Sequence, residues 1–126
     1  DSSTFRAWWE REGGNEIARE TLETATRSSA PPGAEYSPDV AAFALSALAR
    51  APSRLFIPPL RDLLDLSPSY RSADPDADRI NVPGTVTDFN WTWRMPVGVE
   101  ELSRDKKLIQ SIETVSKARR ARSASE

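Results

Sequence analysis

Leu55, Phe56 and Ile57 are three consecutive apolar residues set between Arg54 and the Pro58-Pro59 pair. Such a run suits a short β-strand buried on both faces, as in a parallel sheet. Its surroundings read as helical. Upstream, Ser37 supplies an N-cap oxygen, Pro38 takes the first helical position, and Asp39 sits near the positive helix end. Val40, Phe43, Ala44, Ala47 and Leu48 form one apolar stripe until Pro52. Downstream, residues 60–66 read as a helical turn. Helix, buried strand and helical turn in succession define an α/β chain. One strand cannot make a sheet, so the spacing predicts partner structure supplied from elsewhere.

The remaining segments add helices and loop. Residues 3–11 predict a short helix, capped by Ser2 or Ser3 and stopped at Gly13-Gly14. Phe5, Trp8 and Trp9 share one face of it. Residues 15–28 form a second helical stretch with a weak apolar set, and Pro31-Pro32 marks a connector. Residues 67–96 have almost no periodicity. Asp74, Asp76 and Asp78 flank Pro75 there without the glycine and distal Glu of a calcium loop, so they read as a solvated acidic turn. Phe89, Trp91 and Trp93 make the rest of this stretch an ordered loop rather than a disordered one. Residues 98–115 predict one last helix, with Val99, Leu102, Ile109, Ile112 and Val115 on one side. Residues 116–126, with Lys117, Arg119, Arg120 and Arg122, read as a basic, flexible tail. The chain thus divides into 1–115 and 116–126.

Composition narrows the chemistry. Counting glycine and leaving out tyrosine, about 40% of the 126 residues are apolar, and sixteen residues are alanine. Against the ~45–50% apolar content of globular domains, the core of this chain by itself is thin. Without cysteine or histidine there is no thiolate or imidazole for metal ligation or nucleophilic catalysis, and no metal or cofactor motif is present. A net charge of −2 with four cations near one end argues against nucleic-acid binding. No apolar run approaches the ~18 residues of a membrane helix, and no signal peptide opens the sequence. These features predict a soluble cytoplasmic protein. Asp1 opens the chain and Met95 is its sole methionine, which reads as a piece of a longer polypeptide.

Three segments, in order and spacing, carry a resemblance: DSSTFRAWWE at 1–10, LFIPPLRDLL at 55–64, and RINVPGT at 79–85 with NWTWRMP at 90–96. Together they resemble the C-terminal portion of the 4-α-glucanotransferases, the amylomaltases or disproportionating enzymes of glycoside hydrolase family 77. The resemblance spans residues 1–115. It implies the C-terminal piece of a (β/α)8 barrel, with helices plus one or two barrel strands, mostly helical and loop when counted alone. Residues 55–57 then correspond to the eighth strand, and Asp1 comes just after the seventh.

The same resemblance implies the function. The family cleaves α-1,4-glucan with retention, and a third carboxylate assists the nucleophile and the acid/base by binding sugar hydroxyls in the transition state. Asp1 matches that third, catalytic position. The nucleophile and acid/base lie upstream, so the chain alone is expected to be inactive, with the remainder of the enzyme as its partner. Trp8, Trp9, Asn81, Asn90 and Trp91 are the substrate-binding candidates for a maltooligosaccharide. Arg61 stands where many relatives carry glutamine. Each candidate also has a plainer role: Trp8 or Trp9 as packing, Trp91 and Trp93 as loop anchors, Asn81 and Asn90 as turn formers, Asp62 as a cap or acceptor. The alternatives for the whole chain are a non-catalytic interaction remnant and a glucan-binding module.

Overall fold

The computed structural model describes residues 3–13, 16–26 and 35–123. Its regular elements are α1 (Phe5–Trp8), a π-helical turn (Trp9–Gly13), α2 (Glu16–Thr26), α3 (Pro38–Arg50), α4 (Leu60–Leu64), a 3-10 turn (Pro68–Tyr70), α5 (Val99–Leu102) and α6 (Lys106–Ser123). Among the described residues no segment is paired as a β-strand.

The centre is α3, which packs against both α2 and α6. The Ser37 Oγ accepts the Val40 N–H at 3.3 Å, and Pro38 opens the helix as its sequence predicts. Ala41, Ala44, Ala47 and Ala49 are buried with Val40 and Leu45. Their small side chains let neighbouring helices approach on several sides of α3. The expected single stripe is therefore replaced by a wider buried surface, and Leu48 lies outside it. Trp9, Leu64, Leu66, Tyr70, Leu108, Val115 and Ala118 complete the same core.

Two boundaries differ from the sequence reading. The first helix is capped by Thr4, whose Oγ1 accepts the Ala7 N–H at 3.1 Å, rather than by Ser2 or Ser3. The last helix is two helices. Asp105 interrupts it, with its Oδ1 accepting the Leu108 N–H at 3.0 Å, and so starts α6 afresh. The break resets the helical phase. Leu108, Val115 and Ala118 face the core, whereas Val99 and Ile109 are exposed. α6 also continues through residues 116–123. Arg119 there donates to the carbonyls of Ala49 and Ala51 at 3.3 and 3.1 Å, and to that of Ser53. These bonds engage carbonyls at the C-terminal end of α3, where the helical hydrogen-bond ladder runs out.

Residues 51–59 run as an irregular link between α3 and α4. Phe56 packs against the core, while Leu55 is 75% and Ile57 80% exposed. A strand needs a neighbouring ladder, and no other described segment supplies one.

Candidate functional site

Two of the segments singled out in the sequence, α1 and the acidic turn at 74–78, are bonded to α4. Asp62 Oδ1 accepts the Phe5 N–H at 3.2 Å and so supports the start of α1 from 57 residues away. Phe5 lies within 5.5–6.1 Å, centroid to centroid, of Trp8, Trp9 and Tyr36, forming one aromatic group. Within it Trp9 is 1% exposed and belongs to the core, while Trp8 is half-buried. Asp1 lies outside the described residues.

Next to Asp62, the Arg61 side chain turns into a buried polar cluster. One nitrogen, Nη2, donates to Asp65 Oδ1 at 2.7 Å and to Asp78 Oδ2 at 2.6 Å. The Tyr36 hydroxyl donates to the other Asp65 oxygen at 3.1 Å, and Ser72 Oγ donates to Asp78 Oδ2 at 2.7 Å. Burial works against the Arg61 charge, but the Asp65 and Asp78 carboxylates outweigh it and hold the guanidinium protonated. Burial pushes the Asp65 and Asp62 carboxyls above the usual range, opposed by Arg61 at the first and by the Phe5 N–H at the second. Burial, reinforced by Asp65, holds the Tyr36 phenol far above the ordinary tyrosine range.

This cluster corrects the reading of the acidic turn. Asp78 is 7% exposed and doubly hydrogen-bonded, not solvated. Asp76 pairs with Arg11. Asp74 Oδ1 accepts the Asp76 N–H at 2.9 Å within the turn, and Asp76 also lies 4.0 Å from Arg79 Nη1. A signal for the cluster did exist in the sequence: Arg61 and Asp65 are four apart in one helical turn, the spacing of a helical ion pair. The Asp78 partnership, 17 residues distant, had none.

Beyond Asp78 the chain forms a closed loop. Asn90 Oδ1 accepts the Val82 N–H at 2.9 Å, and its Nδ2 donates to the Thr85 carbonyl at 3.0 Å. Asn90 thus works as a loop clamp in this structure. Asn81 is half-buried in the same loop. The Trp91 N–H donates to the Ile80 carbonyl at 2.7 Å, with Trp91 at φ +67° and its side chain 75% exposed. A left-handed backbone is uncommon for a bulky residue and costs about 1–2 kcal/mol, so the closure of the loop holds it in place. Trp93 packs toward the core and lines a cavity of about 380 Å³ with Tyr70, Ser72, Asp78, Phe89 and Arg94. Trp8 and Trp9 therefore lie together, their rings 6.5 Å apart, while Asn81, Asn90 and Trp91 lie together in the closed loop; α4 is bonded to α1 and, through Asp78, to the foot of that loop. Among the described residues no group of three or more acidic side chains is placed to hold a metal ion, and no helix is long and apolar enough to cross a membrane.

A family model described as 4-alpha-glucanotransferase, of glycoside hydrolase family 77, matches residues 1–100, and the chain belongs to that family. It is 34% identical over 112 residues to a 4-alpha-glucanotransferase of Oryza sativa subsp. japonica, covering 89% of this chain and 12% of the relative. It is 31% identical over 112 residues to the 4-alpha-glucanotransferase of Chlamydia muridarum, covering 86% and 20%. A third, from Chlamydia trachomatis, is 30% identical over 115 residues, covering 91% and 21%. The chain therefore spans about an eighth to a fifth of the length of these relatives. No solved structure matches it.

Proposed function

We propose that this chain is the C-terminal part of a 4-α-glucanotransferase that transfers α-1,4-glucan segments between maltooligosaccharides with retention. The observation that carries the reading is the family match over residues 1–100, which contains every candidate site residue. In the proposed enzyme a carboxylate nucleophile and an acid/base, both upstream, flank the scissile bond about 5–5.5 Å apart. Asp1 binds sugar hydroxyls and favours the oxocarbenium-like transition state. Trp8, Asn81, Asn90 and Trp91 form part of the sugar-binding wall, and Trp9 supports it from the core. The 75% exposure of the Trp91 indole suits stacking against the apolar face of a glucose ring.

Residues 55–57 form the eighth strand of a (β/α)8 barrel in this reading. The exposure of Leu55 and Ile57 supports it, since barrel strands bury both faces only once neighbouring strands and helices are present. The proposed location is the cytoplasm. The 126-residue chain alone is inactive, because it supplies neither nucleophile nor proton donor. Incubating full-length enzyme and the isolated chain separately with maltotriose tests this. Glucan elongation with glucose release by the full-length enzyme only is the expected result; turnover by the isolated chain, or none by either, contradicts it.

A further inference from the structure

We propose that Arg61 is a positioning residue for the glucan site: through Asp78 it fixes the loop over residues 79–93 against the helix that carries Trp8. The inference rests on the glucanotransferase reading of that site.

Two consecutive residues of α4 hold two separate segments. Asp62 accepts the Phe5 N–H at 3.2 Å and so holds α1. Arg61 reaches Asp78 at 2.6 Å and so holds the foot of the loop. A second link closes the triangle. Ser72 Oγ donates to Asp78 at 2.7 Å, and the Ser72 carbonyl accepts from Arg6 Nη1 of α1 at 2.7 Å. The fourth element enters at Asp65, which binds Arg61 on one oxygen and the Tyr36 hydroxyl on the other. Tyr36 in turn packs near Phe5 of α1, 6.0 Å away, and its carbonyl accepts from Arg71 at 2.9 Å.

The loop beyond Asp78 is tied to itself. The Ile80 carbonyl accepts the Trp91 N–H, and Asn90 binds both Val82 and Thr85, so residues 80–91 form one closed unit that follows directly on Asp78. A charged node at the foot of the loop costs desolvation that an apolar contact would not, but it is directional. Arg61 places two carboxylates against one nitrogen. Without that nitrogen, Asp65 and Asp78 face each other across a buried site with no cation between them. Protonation of Asp65, whose carboxyl burial already pushes up, relieves the charge but leaves the Asp78 side chain held by Ser72 alone, which frees the loop beyond it. Asp65, at the end of α4, is tied to the helix that carries Arg61 and cannot move independently.

Both carboxylates meet the same nitrogen, Nη2, so a lysine ammonium reproduces the essential contact and a methionine does not. In full-length enzyme, Arg61→Met is expected to raise the KM for maltotriose about tenfold while kcat changes less than about twofold, because the loss falls on binding of the sugar rather than on the chemical step. Arg61→Lys is expected to recover most of that loss. Amide exchange of residues 79–93 is expected to accelerate in Arg61→Met, with α3 and α6 protected as before. Asp78→Asn, which keeps the acceptor and removes the charge, serves where Arg61→Met does not fold, and is expected to give the same pattern with smaller amplitude. Unchanged KM with unchanged loop exchange overturns the proposal. So does equal loss of protection in α3 and α6, or a Lys variant no better than Met, either of which assigns Arg61 to general stability. A full-length enzyme that leaves maltotriose untouched overturns the glucanotransferase reading instead, and the exchange comparison still decides whether Arg61 holds the loop.

Discussion

The backbone N–H of Phe5 points at Oδ1 of Asp62, 3.2 Å away and 57 residues distant in sequence. A four-residue helix has too few internal hydrogen bonds to persist alone. Thr4 caps it locally and Asp62 caps it from across the fold, so the placement of Trp8 depends on α4.

Replacing Asp62 removes one of these supports. Asp62→Ala is expected to destabilise the chain by about 1–2 kcal/mol, the range for loss of a helix cap and an orphaned donor. Asp62→Asn keeps an acceptor and removes a charge that burial already disfavours, so it is expected to lose less than half as much. Urea midpoints of the two variants check this; equal losses contradict it.

Tyr70 and Asp105 give a pH signature. The Tyr70 hydroxyl donates to Asp105 at 2.7 Å, which pushes the phenol up to about 12. Asp105 is lowered, first by the Leu108 N–H and then by Tyr70. A raised phenol keeps its proton in the folded chain after the unfolded chain has begun to lose it. Its contribution is therefore complete below the ordinary tyrosine value of 10.0 and is lost as pH rises toward about 12. The lowered Asp105 contributes above the ordinary carboxylate value and loses it as pH falls through the folded value. Thermal midpoints between pH 9 and 12 are expected to fall less steeply in Tyr70→Phe than in the parent chain.

Trp91 separates backbone strain from ligand contact. Trp91→Gly removes a strained left-handed residue whose indole is mostly exposed. Glycine's greater freedom in the unfolded chain offsets part of the relief. Stability is expected to stay within about 1 kcal/mol of the parent, while calorimetric binding of maltooligosaccharide to full-length enzyme weakens. A loss beyond about 2 kcal/mol in urea unfolding assigns Trp91 to packing instead.

Leu64 and Leu55 contrast a core residue with a proposed barrel face. Leu64→Ala is expected to cost the isolated chain about 2–4 kcal/mol, since Leu64 is 1% exposed. Leu55→Asp is expected to change the isolated chain by less than about 0.5 kcal/mol, yet to destabilise the full-length enzyme. Equal tolerance in both contexts contradicts burial of residues 55–57 in a barrel.

The legible features of the sequence were local ones. The Ser37-Pro38-Asp39 start of α3, the punctuation at Pro52 and Pro58, and the ordered aromatic loop all stem from side-chain and backbone preferences within a few residues. The Asp105 break was also local: aspartate is a preferred N-cap residue, here hidden by an apolar spacing that runs across it. Asp78 could not be read in this way. Its neighbours Asp74 and Asp76 mark a solvated turn, and only the approach of Arg61 and Ser72 makes a buried acceptor of it. The exposure of Leu55 and Ile57 was illegible for the opposite reason, because a pattern suited to burial is fulfilled only where neighbouring strands pack against it.

Asp1→Asn in the full-length enzyme tests the proposed catalytic role most directly, assayed as glucose release and glucan elongation from maltotriose alongside the thermal midpoint. A transition-state carboxylate at this position requires kcat to fall by at least about 10²–10³-fold, the scale for removing a group that stabilises charge in the transition state, with the midpoint unchanged. Turnover within about tenfold of the parent enzyme, at an unchanged midpoint, contradicts it.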